Sequence, residues 1–153
     1  MKIAKTLIDE NEGDQHTVYR CPAGKLTIGR GRNLEDRGIT QEESDYLLRN
    51  DVAEADRRLS SEFAFYKGLS EIRQAVLIDM YHNLGLTGLL GFRKMLTAMR
   101  NGDWHEAAEQ IRQSRYWSQV GVRAMRNYCM TRFDRYYTRE EARRFFEEEH
   151  FGI

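Results

Sequence analysis

The sequence predicts a mainly helical α+β protein: a small β-hairpin lobe, a long connecting helix and an all-helical lobe. Three observations carry this. A β-branched and turn-rich stretch at 16–28 interrupts the helical patterning, a capped and mostly polar helix begins at Thr40, and apolar stripes at helical spacing follow to the end of the chain.

Taken in order, Ile3, Leu7 and Ile8 fall at helical spacing and predict a short opening helix over 2–10. HTVYR then reads as strand, CPAG as turn and KLTIG as strand again, which makes a hairpin. Pro22, the only proline, suits the second position of a type I turn and Gly24 the fourth. Pro22 also biases Cys21 towards extended backbone, so the thiol sits at a strand end. Gly38 breaks the chain, and Thr40 with Glu43 forms a T-x-x-E capping box for a helix to about Leu59. Residues 72–84 are apolar nearly all round and predict a central buried helix. Phe92, Met95, Leu96 and Met99 form one stripe, and Trp104, Ala107, Ala108 and Ile111 a second, capped by Asp103. Val122, Met125 and Cys129 form a third, and a charged helix over 137–150 ends the chain. No internal repeat or low-complexity linker is present.

Composition narrows the function classes. The 153 residues suffice for one domain, and 41% hydrophobic with 31% charged residues suits a globular chain. Basic and acidic residues balance at 24 each, which argues against a polyanion-binding tail. Cys21 and Cys129 are far apart and are read as thiols of a reducing compartment. No apolar run approaches the roughly 20 residues of a membrane span. The acids from Asp9 onward argue against a signal peptide, so synthesis in the cytoplasm is expected.

Most catalytic constellations fail on spacing. His16, His82, His105 and His150 are scattered, so no metal or other cofactor is expected. There is no G-x-S-x-G elbow, Gly29-Arg30-Gly31 lacks the third glycine of a dinucleotide loop, and Cys21 lacks the flanks of a papain-like thiol. Glu12, Cys21 and Thr27 remain. Alone they also read as a helix-terminal glutamate, a strand cysteine and a strand threonine, and both readings stand at this point.

The wider pattern separates them. D-E-N-E-G at 9–13, V-Y-R-C at 18–21 and L-T-I-G-R-G at 26–31 resemble the phage-type lysozymes, the T-even phage endolysin family. G-I-T-x-E-E at 38–43, R-N-D-V at 49–52, AVLIDMYHNLGLTGLLGF at 75–92, WHEAA at 104–108 and SRYWSQ with Arg123-Ala124 extend the resemblance over about 5–132. The chain is similar to the branch with cysteine where the family most often has aspartate, since Glu12 and Thr27 match and Cys21 departs.

The resemblance implies a lysozyme-like two-lobe domain over 1–153. Its parts are an N-terminal helix at 1–11 packing on the helical lobe, a small β lobe at 12–39, a connecting helix at 40–60 and a helical lobe at 61–153. It further implies a muramidase that hydrolyses the β-1,4 bond between N-acetylmuramic acid and N-acetylglucosamine in peptidoglycan. Glu12 would be the general acid, with Cys21 and Thr27 activating and positioning water. A thiol fills that role only in part unless cations favour its thiolate, and Arg20, Lys25, Arg30 and Arg32 are close in sequence. Nucleophilic attack by the thiolate, with retention, ranks second. Arg32 is expected to pair with Asp51. Asn33, His82 and Gln110 align with substrate-contacting positions, and Cys129 is read as core. The implied setting is a monomer acting on glycan strands, released from the host cytoplasm to the wall by a holin-type pore former, without nucleic-acid binding or stable membrane insertion. The rival reading is a non-catalytic peptidoglycan- or protein-binding module on the same fold.

Overall fold

The computed structural model describes residues 1–151, with side chains through Glu148; the side chain of His150, one of the scattered histidines, lies outside the described residues. The chain divides into two compact units, Met1–Arg49 and Asn50 onward. The architecture is mainly α with one small sheet, the lysozyme-like class expected from the sequence.

The first unit opens with α1 (Lys2–Glu12), which runs two residues past the expected end. Gly13 ends it with a φ of 67°, a backbone region that a side chain penalises. Strands β1 (Gln15–Arg20) and β2 (Leu26–Gly29) form the expected antiparallel hairpin, with Tyr19 opposite Thr27 and Arg20 opposite Leu26. The turn closes as its residues dictate. Gly24 N–H donates to Cys21 O at 2.8 Å across Pro22, and Cys21 N–H donates to Lys25 O at 3.0 Å. A third strand, β3 (Arg32–Asn33), pairs Asn33 with Thr27 and makes the order β1-β2-β3. The sequence does not signal it, because two residues are too few to show alternation.

Helix α2 (Gln41–Glu62) starts at the capping box. Glu43 N–H donates to Thr40 Oγ1 at 3.2 Å, and Glu43 Oε2 accepts from Thr40 N–H at 2.8 Å. Beneath the sheet, Ile28, Leu34, Ile39, Tyr46 and Leu47 line an apolar groove of about 770 Å³ beside the first turns of this helix.

The second unit holds the core: Leu59, Tyr66, Val76, Leu77, Met80, Leu89, Met95, Met99, Ile111 and Cys129 are essentially sealed from solvent. A 3₁₀ turn (Tyr66–Gly68) leads to α3 (Glu71–Leu90). The expectation of a helix buried all round needs correction. One face is buried, whereas Ala75, His82 and Asn83 are not, and Gly85 at φ 70° interrupts the helix. The remaining helices are α4 (Arg93–Asn101), α5 (Trp104–Arg112), α6 (Arg115–Val120), α7 (Val122–Phe133) and α8 (Arg139–Phe151). The stripes predicted for α4 and α5 are their buried faces, and Asp103 Oδ1 accepts from Glu106 N–H at 3.0 Å as a cap. Helix α8 is more than a charged surface helix: Phe146 is buried edge-on against Trp117 and Tyr128, with centroids 4.9 and 5.0 Å away.

Candidate active site

The three expected residues all lie in the first unit; the structure links Cys21 to Thr27, while Glu12 is exposed and lies against Gly31. Glu12 is the last residue of α1, Cys21 begins the hairpin turn and Thr27 sits in the central strand. Opposed strand residues share a face, and residues two apart along a strand share it too. The register therefore places Tyr19, Cys21, Lys25, Thr27 and Asn33 on one face of the sheet. On this polar face Thr27 is buried, at 3% exposure, whereas Val18 and Leu26 on the other face are exposed.

Thr27 Oγ1 donates to Lys25 O at 2.9 Å. The same carbonyl accepts from Cys21 N–H, so a single backbone oxygen ties the thiol-bearing and hydroxyl-bearing residues together. The Cys21 thiol is held below its ordinary pKa, first by the backbone N–H of Lys25 and, against partial desolvation, by Ala23 N–H and the Thr27 hydroxyl. Cys21 and Thr27 are thus directly coupled.

Glu12 is fixed differently. Its carboxyl packs against Gly31, so closely that a Cβ there would lie 2.8 Å from Oε2 and 3.0 Å from Cδ. Gly31 also has a φ of 74°, which favours glycine there, and any side chain would displace the Glu12 carboxyl. Next to it, Arg30 Nε donates to Asp9, and Arg30 Nη2 approaches Asp14 Oδ2 at 3.5 Å. Asp9 and Asp14 flank Glu12 in the chain, so one guanidinium fastens the helix end that carries it. Neither Gly31 nor Arg30 stands out as a site residue in the sequence; a close backbone approach leaves no pattern beyond the glycine itself.

The expected Arg32–Asp51 pair is corrected. Arg32 forms a two-point bridge to Glu43, Nη1 to Oε2 at 2.9 Å and Nη2 to Oε1 at 2.7 Å, and donates to Gly38 O at 3.3 Å. Glu43 is reached because the first turn of α2 already faces β3, and its two oxygens serve both the cap and the guanidinium. Arg32, with the Thr40 amide, holds Glu43 below the usual carboxylate range.

The expected substrate-contacting residues are less uniform. Asn33 is locked to Asp36, Nδ2 to Oδ2 at 3.0 Å and Oδ1 from the Asp36 N–H at 2.9 Å. In the second unit, Gln110 donates to Glu106 Oε1 at 2.6 Å and lines a groove of about 680 Å³ with Phe92, Lys94, Arg115, Tyr116 and Gln119. His82 is exposed, hence no core histidine, and does not line that groove. Cys129 is fully buried, as expected. Among the described residues no cluster of histidine, cysteine, aspartate and glutamate could hold a metal ion, and no helix is long and apolar enough to cross a membrane.

The comparisons with known proteins bear on the family. The phage lysozyme family model matches residues 9–132, which contain Glu12, Cys21 and Thr27. The chain is 25% identical over 151 residues to the probable T4-type lysozyme 1 of Dictyostelium discoideum, covering 80% of this chain and 89% of that protein. It is 27% identical over 124 residues to the endolysin of Acyrthosiphon pisum secondary endosymbiont phage 1, covering 78% and 80%. It is also 32% identical over 102 residues to the pre-baseplate central spike protein Gp5 of Enterobacteria phage T4, covering 65% of this chain but only 18% of that much longer protein. A family-model match that spans most of the sequence, over a mainly helical fold with one small sheet, places the chain in the phage lysozyme family, a family of glycoside hydrolases.

Proposed function

We propose that this lysozyme-type muramidase cleaves the β-1,4 bond of peptidoglycan with Glu12 as general acid and Cys21 and Thr27 directing water, and that this cleavage lyses the host cell. The observation that carries the reading is the coupling of Cys21 and Thr27 through the Lys25 carbonyl, on the hairpin that follows the Glu12 helix. The exposed Glu12 carboxyl beside Gly31 can deliver a proton to the glycosidic oxygen. The lowered pKa of Cys21 makes its thiolate easier to form; the thiolate accepts a proton from water, and the buried Thr27 hydroxyl beside it orients that water. Water attack opposite the acid gives an inverted anomer, and the product is a glycan strand with a new reducing end.

The relatives named as endolysin and lysozyme support wall hydrolysis as the biological task. In this reading the chain acts as a monomer, accumulates in the host cytoplasm and reaches the wall through a holin-type pore. Glu12→Gln tests the assignment, because an amide cannot donate the required proton. The folded variant should clear permeabilised cells at no more than a few per cent of the wild-type rate. Near-normal clearing by a folded Glu12→Gln protein would overturn the acid role, and no clearing by the wild type would favour a binding module.

A further inference from the structure

Four cations lie close to Cys21 in the sequence, and the structure separates them. Arg20 alternates to the opposite face of the hairpin and donates to Gly24 O at 2.8 Å. Arg30 is engaged by Asp9 and Asp14, and Arg32 by Glu43. Lys25 alone stands on the face of Cys21, opposite it at the end of the hairpin, where its carbonyl accepts from Cys21 N–H at 3.0 Å. Its ammonium is held by two carboxylates from the segment after β3, Glu35 at 3.0 Å and Asp36 at 3.2 Å. Asp36 is gripped by Asn33, which pairs with Thr27 across the sheet. The chain of contacts therefore closes on itself: Cys21 to Lys25 through the backbone, Lys25 to Asp36, Asp36 to Asn33, Asn33 to Thr27.

We propose that Lys25 is a positioning residue of this site: clamped by Glu35 and Asp36, it places a cation on the Cys21 face of the hairpin and offsets the two carboxylates that hold it. The proposal rests on the reading of Cys21 as the second catalytic group and adds the group that sustains it. Lys25 is raised above its ordinary value first by Glu35 and Asp36, and last by Cys21. Removing the ammonium uncovers two negative charges, which disfavour a thiolate. Removing one carboxylate leaves the cation less neutralised and favours it. A merely structural clamp would not move the thiol in opposite directions.

The test is the pH dependence of Cys21 alkylation by iodoacetamide in the folded full-length chain, read by mass spectrometry of the Cys21 peptide so that the buried Cys129 is scored separately. For charges several ångströms apart near the surface, Lys25→Met should raise the midpoint by about half a pH unit, roughly a threefold slower reaction below it. Asp36→Asn should lower the midpoint, Lys25→Arg should stay near the wild type, and 1 M salt should shrink the differences, since the screening length there is about 3 Å. Unchanged midpoints at low salt in both Lys25→Met and Asp36→Asn, or shifts of the same sign, would overturn the proposal. Lysis by Cys21→Ala judges the underlying reading separately: full activity there removes Cys21 from the mechanism, whatever the alkylation midpoints show.

Discussion

Replacing Gly31 by alanine puts a methyl group where the Glu12 carboxyl now sits. The new Cβ would lie 2.8 Å from Oε2, 3.0 Å from Cδ and 3.4 Å from Cγ of Glu12. Ordinary contacts are 3.4 Å or more, so the carboxyl has to move by several tenths of an ångström, and as the end of a flexible side chain it can. Misplacement of a catalytic group by about 1 Å costs on the order of 10²-fold, so a loss of about 10–10²-fold in lytic rate is expected. Stability falls less. The φ of 74° costs an alanine about 1–2 kcal/mol, which for a chain of this size lowers Tm by a few degrees. Gly29→Ala is the internal control, because Gly29 has a φ of 64° and a methyl group there would meet nothing within 4 Å. Both variants should lose similar stability in thermal melts, and only Gly31→Ala should lose most of its activity in turbidity clearing of permeabilised cells. Equal activity in the two variants would refute the claim that Gly31 sets the position of Glu12.

The Cys21 series follows from the same site. Cys21→Asp should keep substantial lysis, because a carboxylate is mostly ionised at neutral pH, whereas Cys21→Ala should lose on the order of 10²–10⁴-fold. For the Arg32–Glu43 bridge, Arg32→Ala and Glu43→Gln should each lower Tm, with the double variant losing less than the sum. The folded state holds Glu43 below its unfolded value, so its contribution is present above about pH 4.5 and disappears as pH falls through the lowered value. The Tm gap between wild type and Glu43→Gln should therefore close as pH falls below about 4.5, and a gap that stays constant would rule out the charge pair.

The hairpin, the capping box at Thr40 and the helical stripes were legible because each depends on neighbours in the chain. Pro22 and Gly24 specify their own turn, and Thr40 and Glu43 satisfy each other across one helical turn. What escaped the sequence depends on residues brought together by folding. Arg73 sits inside an apolar pattern yet is buried, because it donates to Thr131 O at 2.9 Å, pairs with Asp134 at 3.3 Å and stacks on Trp104 at 3.8 Å. Phe145 and Phe146 stand side by side in a run of charges, with no helical repeat to mark them as core, and the aromatic cluster they join comes from α6 and α7. At the site, Glu12, Cys21 and Thr27 were visible only as members of a family pattern. Their coupling, the choice of Lys25 among four cations and the partner of Arg32 required the register of the sheet.

The proposed mechanism turns on where the attacking oxygen comes from, and the anomeric configuration of the newly formed reducing end reports it directly. Proton NMR of a soluble peptidoglycan oligosaccharide during cleavage by the wild-type chain distinguishes the two anomers before they equilibrate. Water directed by Cys21 and Thr27 opposite Glu12 predicts that the α anomer appears first from the β-linked substrate. Initial release of the β anomer would mean retention through a covalent intermediate, with the Cys21 thiolate as nucleophile, and would contradict the assignment of Cys21 as the group that activates water.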